Sequence, residues 1–188
     1  MRAGWGSVLL LLLCACSTDM RKEEGGESRE WPVADLMSHV SVERPVDMQT
    51  VKTDSSFLWL SNGDAHRQRH FCLYSYASRV LDPMQLLQKR DSVMRRHVKG
   101  ASDSIWQATV RESVSYALLT SDGTKKLEMK GLWQMAGDAM GGPFVCCAVL
   151  DSARSRIVVA DGFIYAPGKK KEQLMQRMEQ VVKTINIK

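Results

Sequence analysis

Residues 131–144 read Gly131-Leu-Trp133-Gln-Met-Ala-Gly137-Asp138-Ala-Met140-Gly141-Gly142-Pro143-Phe144. The run holds four glycines and a proline, and joins two strand-like segments, residues 125–135 and 144–150. Glycine supplies positive φ and close backbone approach, and proline suits the first residue of a strand. The run therefore predicts a glycine-shaped turn joining two core strands. It is also the densest candidate site in the chain. A nest of backbone N–H groups at Gly141 and Gly142 could hold an anion, with Trp133 and Asp138 lining it. A Walker-type phosphate loop is excluded, because no Gly-Lys-Ser/Thr follows.

Working outward, the neighbouring segments read as a meander. Residues 105–110 and 113–120 predict two strands, and Ser121-Asp122-Gly123 a turn. Asp151-Ser-Ala-Arg154 predicts another turn, followed by a β-branched strand over 156–165 with Gly162 as a bulge. Upstream, residues 57–60 and 71–77 predict a hairpin around Asn62-Gly63-Asp64. Both faces of 71–77 are apolar or aromatic, so it should be a central strand. A short helix is expected over 33–40, and Glu43-Arg44-Pro45-Val46 should be extended.

Two longer helices are well marked. Asp82 is an N-cap, Pro83 takes the first helical position and Gly100 ends the helix; Met84, Leu87, Met94 and Val98 form its stripe. The second spans about 170–184, with Leu174, Met178, Val181 and Ile185 at helical spacing. The fold class predicted is α+β: two layers, a mainly antiparallel sheet with both amphipathic helices packed on one face.

The N-terminus carries an address rather than fold. Met1-Arg2, an apolar run over 8–13 and Leu13-Cys14-Ala15-Cys16 make a secretory signal too short to span a bilayer. The ending resembles the lipobox of bacterial lipoproteins, which predicts cleavage after residue 15 and lipidation of Cys16. Several acyl chains, palmitate among them, would anchor it stably. Residues 16–30 predict an acylated cysteine and a flexible tether, and 31–188 a single domain. Ser17 follows Cys16 rather than aspartate, which points to the outer membrane, on its periplasmic face.

Composition narrows the function classes. The formal net charge is +5, falling to +4 without Arg2, with the basic residues mostly scattered. No concentrated basic face with interleaved aromatics is visible, so nucleic acid is not an expected partner. His66 and His70 lack a His-Glu-x-x-His frame, and Cys72, Cys146 and Cys147 lack Cys-x-x-Cys spacing, so no metal site is expected. With Cys16 acylated, the three that remain permit at most one disulfide. Cys146 and Cys147 should face opposite sides of a strand, one of them in the core. Asp64, His70 and Ser75 could be drawn as a triad, but no Gly-x-Ser-x-Gly elbow supports it. A cysteine nucleophile beside a histidine has as little support. No cofactor motif is present, and none is expected.

With these residues laid out, the chain resembles a family of Bacteroidota lipoproteins, domain-of-unknown-function family 4837. The resemblance rests on Arg90-Asp-Ser-Val-Met94, Lys130-Gly-Leu-Trp133, Gly137-Asp-Ala-Met-Gly-Gly-Pro-Phe-Val145 and the run from Asp161-Gly-Phe-Ile-Tyr165 to Lys171. Arg44-Pro45 and Tyr74-Ser75-Tyr76 add to it. It covers residue 42 to the C-terminus. It implies an envelope lipoprotein and carries over no catalytic residue. The expectation is a non-enzymatic module, tethered to the membrane by its lipid, that binds an envelope protein or glycan. The alternative is a hydrolase-like envelope enzyme or an anion-binding protein using residues 137–143. A cleft uniting Asp138, Trp133 and a histidine would favour the alternative.

Overall fold

The structure is a computed structural model that describes residues 33–45 and 47–188, all within the compact unit Trp31–Lys188. The expected signal, Cys16 and the tether lie outside the described residues. The elements run α1 (Ala34–Met37), β1 (Val40–Ser41), β2 (Gln49–Thr53), β3 (Phe57–Ser61), β4 (Gln68–Ala77), α2 (Pro83–His97), β5 (Trp106–Ser121), β6 (Thr124–Ala136), β7 (Gly141–Asp151), β8 (Arg156–Tyr165), α3 (Glu172–Lys183) and β9 (Asn186–Ile187). Seven strands form one antiparallel sheet in the order β2-β3-β4-β8-β7-β6-β5, and β1 pairs with β9 separately. The α+β class and the mainly antiparallel sheet agree with the sequence.

The placement of the helices differs from expectation. They pack on opposite faces, so the molecule has three layers. One core holds Leu58, Leu60, Phe71, Leu73, Val145, Cys147, Val158 and Ala160 beneath Met178, Val182 and Ile185 of the α3 segment. The other holds Cys72, Tyr74, Phe144, Cys146, Val159 and Phe163 beneath Leu86, Leu87 and Met94 of α2. The reason lies in the central strands. Residues 144–149 of β7 and 157–164 of β8 are buried without a break, so both faces of the sheet need cover. Each fully buried Leu, Val or Phe there contributes about 1.5–3 kcal/mol.

Three smaller expectations are also corrected. Residues 105–110 and 113–120 belong to one strand, β5, whose register shifts between Val110 and Ser115. The Ser113 hydroxyl patches the break, donating to the Val110 carbonyl at 2.6 Å and accepting from the Leu132 amide at 2.7 Å. Gly162 is not a bulge, since it pairs in unbroken register with Phe71 and Val145. A Cβ there would lie 2.0 Å from Met178 Cγ, so this glycine lets α3 approach the sheet. Finally, Cys146 and Cys147 do face opposite sides, but both are in core. The helical segments packed on both faces of the central strands leave neither thiol open to water.

The predicted start of α2 holds, but its end is corrected: the helix stops at His97, and Val98 rather than Gly100 is its C-cap. Asp82 accepts from the Gln85 amide at 2.6 Å, with Pro83 opening α2. At the opposite face Arg156 fastens α1, donating to the carbonyls of Asp35 and Ser38 and, through Nε, to Asp151 at 2.9 Å.

Candidate functional site

The glycine-rich run forms the β6–β7 hairpin. Trp133 pairs with Gly142 and Gln134 with Gly141, and the loop between is closed by the Met135 amide donating to Met140 O at 2.8 Å. Gly137 takes φ +88°, the left-handed region that favours glycine. Gly142 serves a different purpose. A Cβ on it would sit 2.0 Å from Ile164 O and 3.3 Å from Trp133 Nε1. Its bare backbone lets the indole cross β7 and donate to Ile164 O at 3.2 Å. Trp133 is therefore a buried framework residue, edge-on to Phe163 at 5.5 Å.

Trp133, Asp138, Gly141 and Gly142 do come together. With Val110, Leu132 and Met140 they line an open depression of about 410 Å³. Asp138 lies at its rim, exposed, accepting from the Ala139 amide at 2.6 Å. No histidine lines this depression. The nearest link is indirect: His70 stacks on the same Phe163 at 4.5 Å.

His70 is committed elsewhere. Trp59 Nε1 donates to its Nδ1 at 3.2 Å, which leaves Nε2–H to donate to Gln68 Oε1 at 3.2 Å. Burial holds its pKa down at about 4, so it is neutral at physiological pH. Asp64 caps the β3–β4 turn by accepting from the amides of His66 and Arg67. The drawn triad of Asp64, His70 and Ser75 is thus not assembled. Among the described residues no group of three or more His, Cys, Asp or Glu side chains is placed to hold a metal ion.

Cys72, Cys146 and Cys147 are unpaired and fully buried. Cys72 and Cys146 both lie opposite Asp161, one on each side, so a whole strand separates them. Two inter-strand spacings come to about 9.6 Å, beyond disulfide reach. Burial, and then the neighbouring Asp161, pushes both thiols well above their ordinary value. Burial likewise raises Cys147, on the other face, to about 12. Such thiols stay protonated and are poor nucleophiles.

The most strongly built polar cluster is one that the sequence reading did not single out. Arg90 of α2 donates to Asp161 of β8 through Nε at 2.8 Å and Nη2 at 3.4 Å. Its other donors reach Thr109 Oγ1 at 2.9 Å and Gln107 Oε1 at 3.3 Å, both on β5. The guanidinium lies 3.7 Å over the Phe144 ring. Burial pushes the Asp161 carboxyl up, and Arg90 draws it part of the way back. Two signals pointed here. Arg90 falls within the apolar stripe of its helix, between Leu86 and Met94. Asp161 is an acid in a strand apolar on both faces, where a charge must be paired.

The four runs that carry the family resemblance meet in this framework. Arg90 belongs to the first, Trp133 to the second, Gly142 and Phe144 to the third, Asp161, Gly162 and Ile164 to the fourth. They fasten α2, the β6–β7 hairpin and β8 together.

Comparison with known proteins agrees with this fold. The solution structure of the cyanobacterial PsbP protein (CyanoP) from Synechocystis sp. PCC 6803 is similar, with TM-score 0.55 and 7% identity over 82% of this chain and 89% of that one. The Ran-binding protein Mog1p of Saccharomyces cerevisiae follows at TM-score 0.49 and 8% identity, over 79% and 90% of the two chains. At 7% identity the likeness to CyanoP is one of fold. No curated protein matches in sequence. The family model for a domain of unknown function, DUF4837, matches residues 32–184, and the chain belongs to that family.

Proposed function

We propose that the protein is a non-enzymatic envelope module, held by acylated Cys16 at the periplasmic face of the outer membrane, that binds a partner protein through its surface. One observation carries the binding reading. Four of the six large hydrophobic residues exposed among the described residues gather where α2 begins and β5 ends: Val80 (61% exposed), Met84 (56%), Tyr116 (37%) and Leu118 (66%). Val80 and Leu118 line one groove of about 610 Å³ with Leu81 and Leu150. An apolar concavity rimmed by polar residues suits a protein surface better than a glycan. The residues of the family resemblance support the same reading, since they are occupied in framing the interior. The depression around Asp138 is open and lacks a second titratable side chain, which gives the enzymatic alternative no acid–base pair.

The test has two arms. Cells expressing the full chain are fractionated, wild type against Cys16→Ser. The wild type should sediment with the outer membrane and the variant should be released; a variant still in the membrane fraction would remove the anchor. A photo-reactive amino acid replacing Val80 should give a covalent adduct to protein on irradiation of intact envelopes. No protein adduct would remove the binding surface.

A further inference from the structure

The two edges of the seven-stranded sheet differ in kind. β2 is five residues long, carries Lys52 and has a register shift between Thr50 and Lys52. Charge, shortness and irregularity are the devices that keep an edge from pairing with another strand. β5 has none of them in its second half. Residues 113–121 read Ser-Val-Ser-Tyr-Ala-Leu-Leu-Thr-Ser, nine positions without a charge, a proline or a glycine.

The first half of β5 is covered. The Gln107 amide donates to Val98 O at 3.2 Å and the Thr109 amide to Asp91 Oδ1 at 3.0 Å, both from the α2 side. Arg111 also reaches Asp91. Beyond the shift at Val110, the edge turns open. Asp122 and Gly123 have φ +52° and +75°, the two-residue turn that matches strand twist, and Ser121 pairs with Thr124. Counting back from that hydrogen-bonded pair, residues 119, 117 and 115 bond to β6. Tyr116, Leu118 and Thr120 therefore direct their amides and carbonyls away from the sheet. Among the described residues no loop or turn carbonyl accepts from those three amides.

We propose that a second copy of this chain covers the edge, the two β5 strands pairing antiparallel about a two-fold axis at Ala117. This rests on the binding reading above and names the partner at that surface. The uncharged run is centred on Ala117, so in this register it pairs wholly with itself. Tyr116 faces Leu118 of the copy in two symmetry-related hydrogen-bonded pairs. A two-fold contact needs such a self-complementary strip. Aromatic–aliphatic cross-strand pairs are favourable, and no charge is buried within the run. The pairing also covers the exposed Tyr116 and Leu118, next to the groove that Leu118 shares with Val80. Tethering both copies to one membrane face raises their effective concentration.

The geometry gives a direct test. At the axis Ala117 meets its own copy as a non-hydrogen-bonded pair, with Cα atoms about 4.5 Å apart, within disulfide range. Full-length chain bearing Ala117→Cys is oxidised in native envelopes and run without reductant. Cys72, Cys146 and Cys147 are buried and form the silent background. We expect a disulfide-linked species of twice the chain mass, at least tenfold more than from Val51→Cys on the β2 edge. Adding Leu118→Lys should reduce it at least fivefold. Absence of the dimer, equal yield from Val51→Cys, or a cross-link to a different protein would overturn the pairing. If Ala117→Cys fails while position 80 still gives a protein adduct, the second copy is excluded and the binding reading stands. If both are silent, both fall.

Discussion

Arg90 and Asp161 meet at 2.8 Å with no solvent exposure on either side chain, 71 residues apart in sequence. Two ions withdrawn from water are expensive unless each is paired and hydrogen-bonded. Here the guanidinium has the carboxylate, a hydroxyl, an amide oxygen and an aromatic face, all from the sheet. The pair fixes the rotation of α2 on the sheet.

Removing one partner should therefore cost far more than removing both. Asp161→Ala strands a buried cation and should lose about 3–5 kcal/mol. The double variant Arg90→Met with Asp161→Leu should lose clearly less than Asp161→Ala alone, because no charge is left behind. Urea unfolding of the three proteins checks this. A double variant at least as unstable as the single one would show that the ion pair is not the main contribution.

His70 contributes to the acid sensitivity of the fold. Burial lowers its folded pKa to about 4, against 6.5 in an open chain. The unfolded chain binds the proton first, so this contribution to stability is complete above pH 6.5 and is lost as pH falls toward 4. The size is about 3 kcal/mol. Protonation also removes the Nδ1 lone pair that accepts from Trp59. In NMR titration the His70 ring signals should stay unshifted down to about pH 4 in folded protein. A midpoint near 6.5 would show that the ring is solvated.

Much of the fold was legible because local signals and burial agreed. The Asp82 and Pro83 start, the turns at Asp122-Gly123 and Gly137, and the apolar runs of β7 and β8 each mark an element on their own. Helix placement was not legible from the helices, since a stripe such as Leu87 and Met94 says only that some sheet face covers it. The information lay in β7 and β8, whose unbroken apolar runs require cover on both sides. The candidate site was half legible. Trp133, Asp138, Gly141 and Gly142 do share one depression, but the roles of Trp133 and Gly142 depend on Ile164, two strands away across β7. No spacing rule reaches that contact, nor the one between Gly162 and Met178.

The two glycines that admit neighbours should respond differently to alanine. Gly142→Ala drives a methyl into backbone, at 2.0 Å from Ile164 O, and should cost at least about 3 kcal/mol or prevent folding. Gly162→Ala meets the flexible Met178 side chain, at 2.0 Å from Cγ. It should cost about 1–3 kcal/mol, and pairing it with Met178→Ala should recover part of that loss, a coupling of about 1 kcal/mol. Thermal melts of the single and double variants measure both. Additive losses at 162 and 178 would mean the methyl is accommodated by movement of the strand instead.

Ser113 is the last position where one atom holds a register. Where β5 slips against β6, its hydroxyl donates to Val110 O at 2.6 Å and accepts from the Leu132 amide at 2.7 Å. β5 advances five residues there while β6 advances two, and the side chain supplies the acceptor that the looped-out backbone does not. Ser113→Ala leaves the Leu132 amide without that acceptor and should cost about 1–2 kcal/mol. The effect should be local, since the shift separates the covered half of β5 from its open half. Hydrogen exchange should quicken at least tenfold at Leu132, while Met129 and Leu127, paired beyond the shift, keep their protection. Ser113→Thr, which retains the hydroxyl, should restore slow exchange at Leu132. Unchanged exchange in the alanine variant would mean that backbone pairing alone carries the register, and that the serine merely fills the gap.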